Sequence, residues 1–341
     1  MKSVLKMALV TAVLLAGAET VFAGGGDRVG TAGAVQLQIP VGARGIALGG
    51  SNIAATSGID ALFWNPAGVP LTDNSVDVTF SHMEYIFDVG VEYGAVAAKA
   101  EDIGTFAFSI KSLSIGEIDK TTTLHPDGTG ATFTPQFLTA GVTYARLLTD
   151  NISVGVTATY ISETMDLVSA DGMAFNVGIL YRNLADMQGL NFGVAIKNLG
   201  PQMQYDGSGL IYQADVDDLN RPPQYYKAEA AAFELPSTFE IGLAYAPVFA
   251  EVNQVKVLAN FQNNNFAEDE YRMGLEYGYD GMFFARGGYV LSPEDDNYAY
   301  SYSGGAGVKY DMGGSSVEVG YAYRHFEYYS GNHVFDITLG F

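Results

Sequence analysis

The chain has 341 residues with 17 basic and 38 acidic side chains, and its formal charge of −21 makes it a poor partner for the polyanionic backbone of nucleic acid. It has no cysteine, so neither a disulfide framework nor a thiolate metal site can be built. After residue 23 no segment reaches the roughly 20 continuous apolar residues of a membrane-spanning helix.

In chain order, Lys2 and Lys6 form a charged start, Met7 to Ala18 an apolar run, and Val21-Phe22-Ala23 a small-x-small site before Gly24. That order predicts a secretory signal peptide over 1–23. The apolar run is too short for an anchor and ends at Glu19.

Residues 24–74 show no period-two alternation and contain two distinctive stretches. Gly42-Ala43-Arg44-Gly45-Ile46-Ala47-Leu48-Gly49-Gly50-Ser51 reads as glycine-rich backbone packed closely against something. Ile59 to Gly68, with Ala61-Leu62-Phe63-Trp64-Asn65-Pro66-Ala67-Gly68 inside it, reads as a short helical turn stopped by Pro66, because the residue before proline is pushed out of the helical region. An apolar segment ahead of a barrel is most economically placed inside the lumen, as a plug. Trp64, the one tryptophan, reads as a packing anchor.

From Ser75 to the end, fourteen short segments alternate apolar with polar or tiny residues. This is the signature of a closed, antiparallel, all-β transmembrane barrel over 75–341. The first strand offers Val76, Val78 and Phe80 to lipid, the second Val91, Tyr93 and Ala95, and the third Phe106, Phe108 and Ile110. The pattern continues to Val317, Val319, Tyr321 and Tyr323 in the thirteenth and to Phe335, Ile337, Leu339 and Phe341 in the fourteenth. On the opposite parity fall Asp77, Glu92, Lys111, Arg182, Lys197, Glu240, Lys256, Arg272, Glu276, Arg286, Lys309, Glu318 and Asp336. A lumen holds paired or hydrated charges and a lipid face does not, so one rule places all thirteen inward. A soluble sandwich would alternate too, but would carry its charges on the outer surface and have similar loops at both ends.

The connections are unequal. Those after even-numbered strands are tight, as in Thr149-Asp150-Asn151 and Tyr279-Asp280-Gly281. Several after odd-numbered strands are long: Ser114 to Thr132, Leu199 to Leu235 and Leu291 to Ala299. Short periplasmic turns and long external loops put both termini on the periplasmic side and require an even strand number. Leu199 to Leu235 has room for an additional hairpin. An open edge invites aggregation, so the last strand is expected to pair with Val76 to Phe80. Its terminal Phe341 resembles the assembly signal read by the barrel-insertion machinery.

The Gly42 to Ser51 stretch and the Ala61 to Gly68 motif, followed by a barrel ending in Phe341, resemble the PorV/PorQ family. That family is in turn similar to FadL-type transporters, which share an Asn-Pro-Ala motif in their plug. The resemblance implies fourteen strands with the N-terminal segment in the lumen, and marks Gly42, Arg44, Gly45, Leu48, Gly49, Gly50, Trp64, Asn65, Pro66, Ala67 and Gly68 as the plug motif. By resemblance to PorV the partners are exported proteins of a type IX pathway; by resemblance to FadL they are hydrophobic small molecules.

Chemistry is not encoded in any recognisable form. The histidines are His82, His125, His325 and His333, and neither HExxH nor GxSxG occurs. Gly24-Gly25-Gly26 and Gly304-Gly305-Ala306-Gly307 lack the context of a phosphate loop. His82 and His333 should come close at the outer rim, where histidine suits an interfacial girdle. Asp215, Asp217, Asp218 and Asn220 lack the glycine and distal glutamate of a calcium loop and read as solvated loop. The expectation is a protein without catalytic residues, cofactor or metal, embedded in outer-membrane lipid and not an enzyme. Its function is either carriage of exported proteins, the reading preferred, or FadL-like passage of hydrophobic molecules. Leu180, Val96, Leu258, Met282 and Phe284 are candidates to line an apolar pocket for the latter.

Overall fold

A computed structural model describes residues 28–87, 89–100, 102–214, 222–247, 252–292 and 299–341. The expected signal peptide and the loop positions Asp215, Asp217, Asp218 and Asn220 lie outside the described residues.

Fourteen strands form the wall: β1 Val76–Glu84, β2 Gly90–Ala100, β3 Gly104–Ser114, β4 Gln136–Leu147, β5 Ile152–Met165, β6 Val168–Tyr181 and β7 Leu190–Leu199, then β8 Thr238–Tyr245, β9 Asn253–Asn264, β10 Glu270–Tyr279, β11 Phe283–Leu291, β12 Tyr302–Asp311, β13 Ser316–Arg324 and β14 Asn332–Gly340. Each pairs antiparallel with its sequence neighbours, and β14 pairs with β1, Val78 opposite Leu339 and Phe80 opposite Ile337. At this seam the amides of Ser75 and Val76 donate to the Phe341 carbonyl at 2.6 and 3.0 Å, and the Phe341 amide donates to Val76 at 2.8 Å. Closure leaves no edge in lipid, where an unpaired backbone group has no water to turn to. Two small hairpins stand outside the wall, Ile118–Asp119 with Thr132–Phe133 and Ile211–Ala214 with Gln224–Lys227. The second uses the room foreseen between Leu199 and Leu235 without adding to the barrel.

The outward parity follows expectation in thirteen strands but not in β2. Val91, Tyr93 and Ala95 are buried on the inside, while Val96 is exposed on the outside. Directly paired residues share a face of a sheet, and Val78, Phe80 and His82 oppose Val96, Gly94 and Glu92. Glu92 is therefore not a lumen charge. Its carboxylate lies 2.6 Å from His82 Nδ1, near the loop end of the barrel. The expectation failed because both faces of Gly90–Ala100 are largely apolar or tiny, and the inner one meets an apolar plug. Val91, Tyr93, Ala95 and Ala97 share a core with Ile46, Ile59, Leu62 and Trp64.

The plug runs from the loop end toward the turn end. Gly30 donates to Phe266 and Gly33 to Glu234, both in connections after odd-numbered strands, and the chain then descends to Val76. Short helical pieces follow one another: Val35–Gln38, Ala43–Ala47, Gly58–Asp60, Ala61–Trp64 and Pro66–Gly68. Thus the Gly42 to Ser51 stretch holds a helical turn and a half, more order than its composition suggests. Beyond it Gly49 and Gly50 adopt φ of 64° and 74°, a region that penalises a side chain. At Asn65 the backbone turns extended before Pro66, and its side-chain oxygen accepts from the Ala67 amide at 3.1 Å.

Two outcomes test this architecture. Val319 is exposed between Val308 and Ile337. Val319→Arg should cost about 2–4 kcal/mol where the position lies near the bilayer midplane, and the inward Glu318→Gln distinctly less. Unfolding titrations in lipid vesicles measure both, and the reverse order would contradict the facing assigned to β13. Deleting Phe341 removes three seam hydrogen bonds. It should lower the yield of heat-modifiable barrel in the outer membrane.

Candidate functional site

Most inward charges converge with the plug in connected groups. Glu276 on β10 is almost wholly buried and faces three cations: Arg44 of the plug, Lys256 on β9 and Arg286 on β11, with Nε or Nζ at 3.0, 2.8 and 2.8 Å. Arg286 also reaches Glu318 at 3.2 Å, and Arg44 lies 3.9 Å from Asp60. Asp336 accepts the Ala43 amide at 2.6 Å, at the start of the short helix. Desolvated ions are tolerated when geometry and partners are good, and the arrangement then fixes position more than it adds stability. Here it fixes the plug, because Arg44 is the plug's contribution.

A second group sits nearer the loop end. Lys197 pairs with Glu240 at 2.5 Å, Asn260 donates to Glu240 at 2.9 Å, and Arg272 pairs with Glu270 at 2.7 Å. Lys111 donates to the carbonyls of Gln36 and Ile39 at 2.7 and 3.0 Å, tying the descending segment to β3. Lys111 and Lys197 both approach the Phe63 ring, at 5.1 and 5.2 Å from its centroid. Trp64 packs edge-on against Phe63 at 5.0 Å and is buried, in keeping with an anchor.

The remaining predicted positions are peripheral. Asp77 accepts from Asn74 at 2.6 Å. Arg182 lies just past β6 and bonds the Asp150 carbonyl, and Lys309 meets Asp311 at 3.8 Å, both at the turn end. His82 and His333 take separate partners, Glu92 and Tyr321, and no metal-holding group of His, Cys, Asp or Glu occurs among the described residues. Asp60 and Glu270 were not foreseen. Glu270 shares its parity with Arg272 and Glu276, so the same alternation locates it; Asp60 carried no such signal beyond lying beside the plug motif.

Above the plug lies a cavity of about 630 Å³. Its floor includes Gly49, Gly50, Phe63 and Trp64, and its wall includes Thr139, Thr157, Asn176, Lys111, Lys197, Glu240 and Arg272. The apolar residues foreseen for a pocket do not border it. Leu180 and Leu258 are buried with Leu48, Ala54 and Ala67 of the plug, and Val96 faces outward. Met282 and Phe284 belong to the turn end of β11. The cavity's lining mixes hydrogen-bonding and charged groups with apolar ones, Leu37, Ile39, Leu62, Ile86 and Val290 among them.

The long connection after β7 leans over the rim. Met203 and Leu235 bury with Leu37 of the descending segment and Ile161 of β5. Tyr205 donates to Glu163, and burial followed by that hydrogen bond raises its phenol above the ordinary range.

A fourteen-strand barrel with an apolar belt, a charged lumen and an internal plug defines an outer-membrane β-barrel of the plugged type. The family model described as type IX secretion system protein PorV matches residues 23–216, more than half the chain, and the chain belongs to that family. A search of curated proteins gave no match. Among solved structures, the CymD monoaromatic hydrocarbon channel is similar at 12% identity and a TM-score of 0.52, covering 88% of this chain and 97% of its own. The deltaS2S3 mutant of the TodX monoaromatic hydrocarbon channel gives 13% and 0.53, with 87% and 97% covered. The Pseudomonas putida toluene transporter TodX gives 13% and 0.50, with 87% and 96% covered. At such identities the likeness extends to the fold alone.

Glu276→Gln leaves three cations around a neutral amide. It should destabilise the protein by about 3–5 kcal/mol, the scale for removing one partner of a buried ion group. Arg44→Met should cost less, since Lys256 and Arg286 continue to compensate Glu276. Denaturant titrations of both variants in detergent decide the order.

Proposed function

We propose that this chain is a non-enzymatic, cofactor-free carrier that holds exported proteins at its loop face during type IX secretion. The match to the PorV family over residues 23–216 carries the reading. The loop face supports it: a hairpin of Ile211–Ala214 and Gln224–Lys227 stands outside the wall in a loop-end connection, and the cavity that opens at that end carries hydroxyl, amide and charged groups among its lining. Such groups suit the polar surface of a polypeptide.

A second reading, passage of hydrophobic molecules, draws on neighbours named as monoaromatic hydrocarbon channels. It is weaker because an apolar solute filling the cavity would take water from Lys111, Lys197, Glu240 and Arg272 without offering them a partner.

The two readings place their working surfaces differently, so paired variants separate them. Excising part of 210–233 should abolish co-purification of exported proteins while leaving a folded barrel, since exposed loops tolerate deletion better than strands. Trp64→Ala with Asn65→Ala should disturb the plug and, for a transporter, alter uptake of a fatty-acid-like probe. Recovery of no protein partner from the intact barrel under crosslinking, together with altered uptake in the plug variant alone, would reject the carrier.

A further inference from the structure

Three pairs of inward glycines oppose each other on the wall: Gly155 with Gly178, Gly193 with Gly242, and Gly274 with Gly288. None leaves room, because the plug already occupies the space. A Cβ at Gly193 would lie 2.6 Å from the Ile53 carbonyl oxygen, and one at Gly242 would lie 2.6 Å from the Ile53 side chain. At Gly155 and Gly288 it would meet the main chain of Pro66 and of Leu48 and Gly49, at Gly178 the Asn65 amide, and at Gly274 the Ser51 hydroxyl. Wall and plug are in direct contact on opposite sides of the lumen. Close-packed surfaces of this kind do not slide by small steps, because each displacement drives atoms into filled space.

Polar ties reinforce the fit on the same two sides. Ser153 of β5 donates to the Ala67 carbonyl at 2.6 Å and Ser303 of β12 to the Ala47 carbonyl at 3.1 Å. Asn65 donates to Ile53 within the plug at 2.9 Å and to Ile179 of β6 at 3.3 Å. Beneath lies the group of three cations around Glu276. The cavity stands wholly on the other side of this seat. Its lining rises from Trp64 and Gly50 to Tyr85, Ile86 and Tyr300 at the loop end, and among the described residues includes none from the turn-end connections.

We propose that the plug is a permanent wall and that the cavity is a dead-end cup, loaded and emptied only from the loop face. The lining suits a polypeptide segment that carries both kinds of side chain, since Thr139, Thr157, Asn176 and Thr238 offer hydroxyls and an amide beside the apolar Leu37, Ile39 and Phe63. The identity of that ligand rests on the carrier reading; the immobility of the plug does not.

The chain has no cysteine, so paired cysteines report only on themselves. Ala47→Cys with Ser303→Cys, and separately Ala67→Cys with Ser153→Cys, join plug to wall on opposite sides when oxidised. Whichever pair gives a disulfide by mass is assayed oxidised and after reduction, in full-length protein in lipid. Two readouts are taken: capture of exported proteins at the loop face, and flux of a fluorescent dodecanoate and of a tetrapeptide through proteoliposomes. A fixed plug predicts equal capture in the two states and no flux of either probe above that of empty liposomes. Loss of capture on oxidation that reduction restores would overturn the proposal, as would flux that appears only after reduction. Should neither state capture any protein, the carrier reading fails by itself, and the flux comparison still decides whether the plug moves.

Discussion

A backbone amide in hydrocarbon must find its acceptor within the protein, and that constraint shapes the whole chain. It forbids a free edge, so β14 must return to β1, and the last residue, Phe341, exchanges main-chain hydrogen bonds with Val76 at the seam. Closure fixes the number and order of strands and thereby creates an inside. Once there is an inside about as wide as fourteen strands impose, something must fill it, since strand number sets barrel diameter. Much of the segment ahead of β1 does so.

Filling the lumen changes what the inner face must be. An empty, watery lumen asks for polar residues throughout, whereas a plugged one asks for whatever complements the plug. Where the plug is apolar, at Ile46, Ile59, Leu62 and Trp64, the wall answers with Val91, Tyr93, Ala95 and Ala97. Where plug main chain touches the wall, it answers with glycine, as at Gly155, Gly193 and Gly288. Where the plug presents Arg44, it answers with Glu276. The plug and the wall are therefore one packing problem, and neither face can be assigned from hydropathy without the other.

This accounts for what could be read in the chain and what could not. Thirteen strands announce their faces because a lipid-facing Phe, Val or Tyr alternates with a charge or a small polar residue, as with Val319 beside Glu318. In β2 the two charges lie near the strand ends, Glu92 on the outer parity at the loop end, where it pairs with His82, and Lys99 at the turn end, while Val91, Tyr93 and Ala95 lie within. A rule that equates apolar with lipid then inverts the strand. Local cues within the plug were legible, above all the break at Asn65-Pro66. Its contacts were not, since Asp60 approaches Arg44 only because two distant parts of the segment fold against the same wall. The pairing of Lys197 with Glu240 likewise depends on which strands become neighbours across the long connection after β7.

The same architecture serves proteins with different cargo, so the fold by itself does not choose between carriage and passage. What separates the two is the character of the space above the plug and the firmness of what lies beneath it. A path for hydrocarbon needs an apolar wall that continues across the membrane. Here the wall of the cavity sets Lys111, Lys197, Glu240 and Arg272 among its apolar residues, and Leu180 and Leu258 are buried against the plug below it. The route downward meets main chain against main chain at Gly155 and Gly288 and a carboxylate held by three cations. A ligand that reaches the cavity from outside thus finds apolar surface set with hydrogen-bonding and charged groups over a closed floor, which is an arrangement for holding.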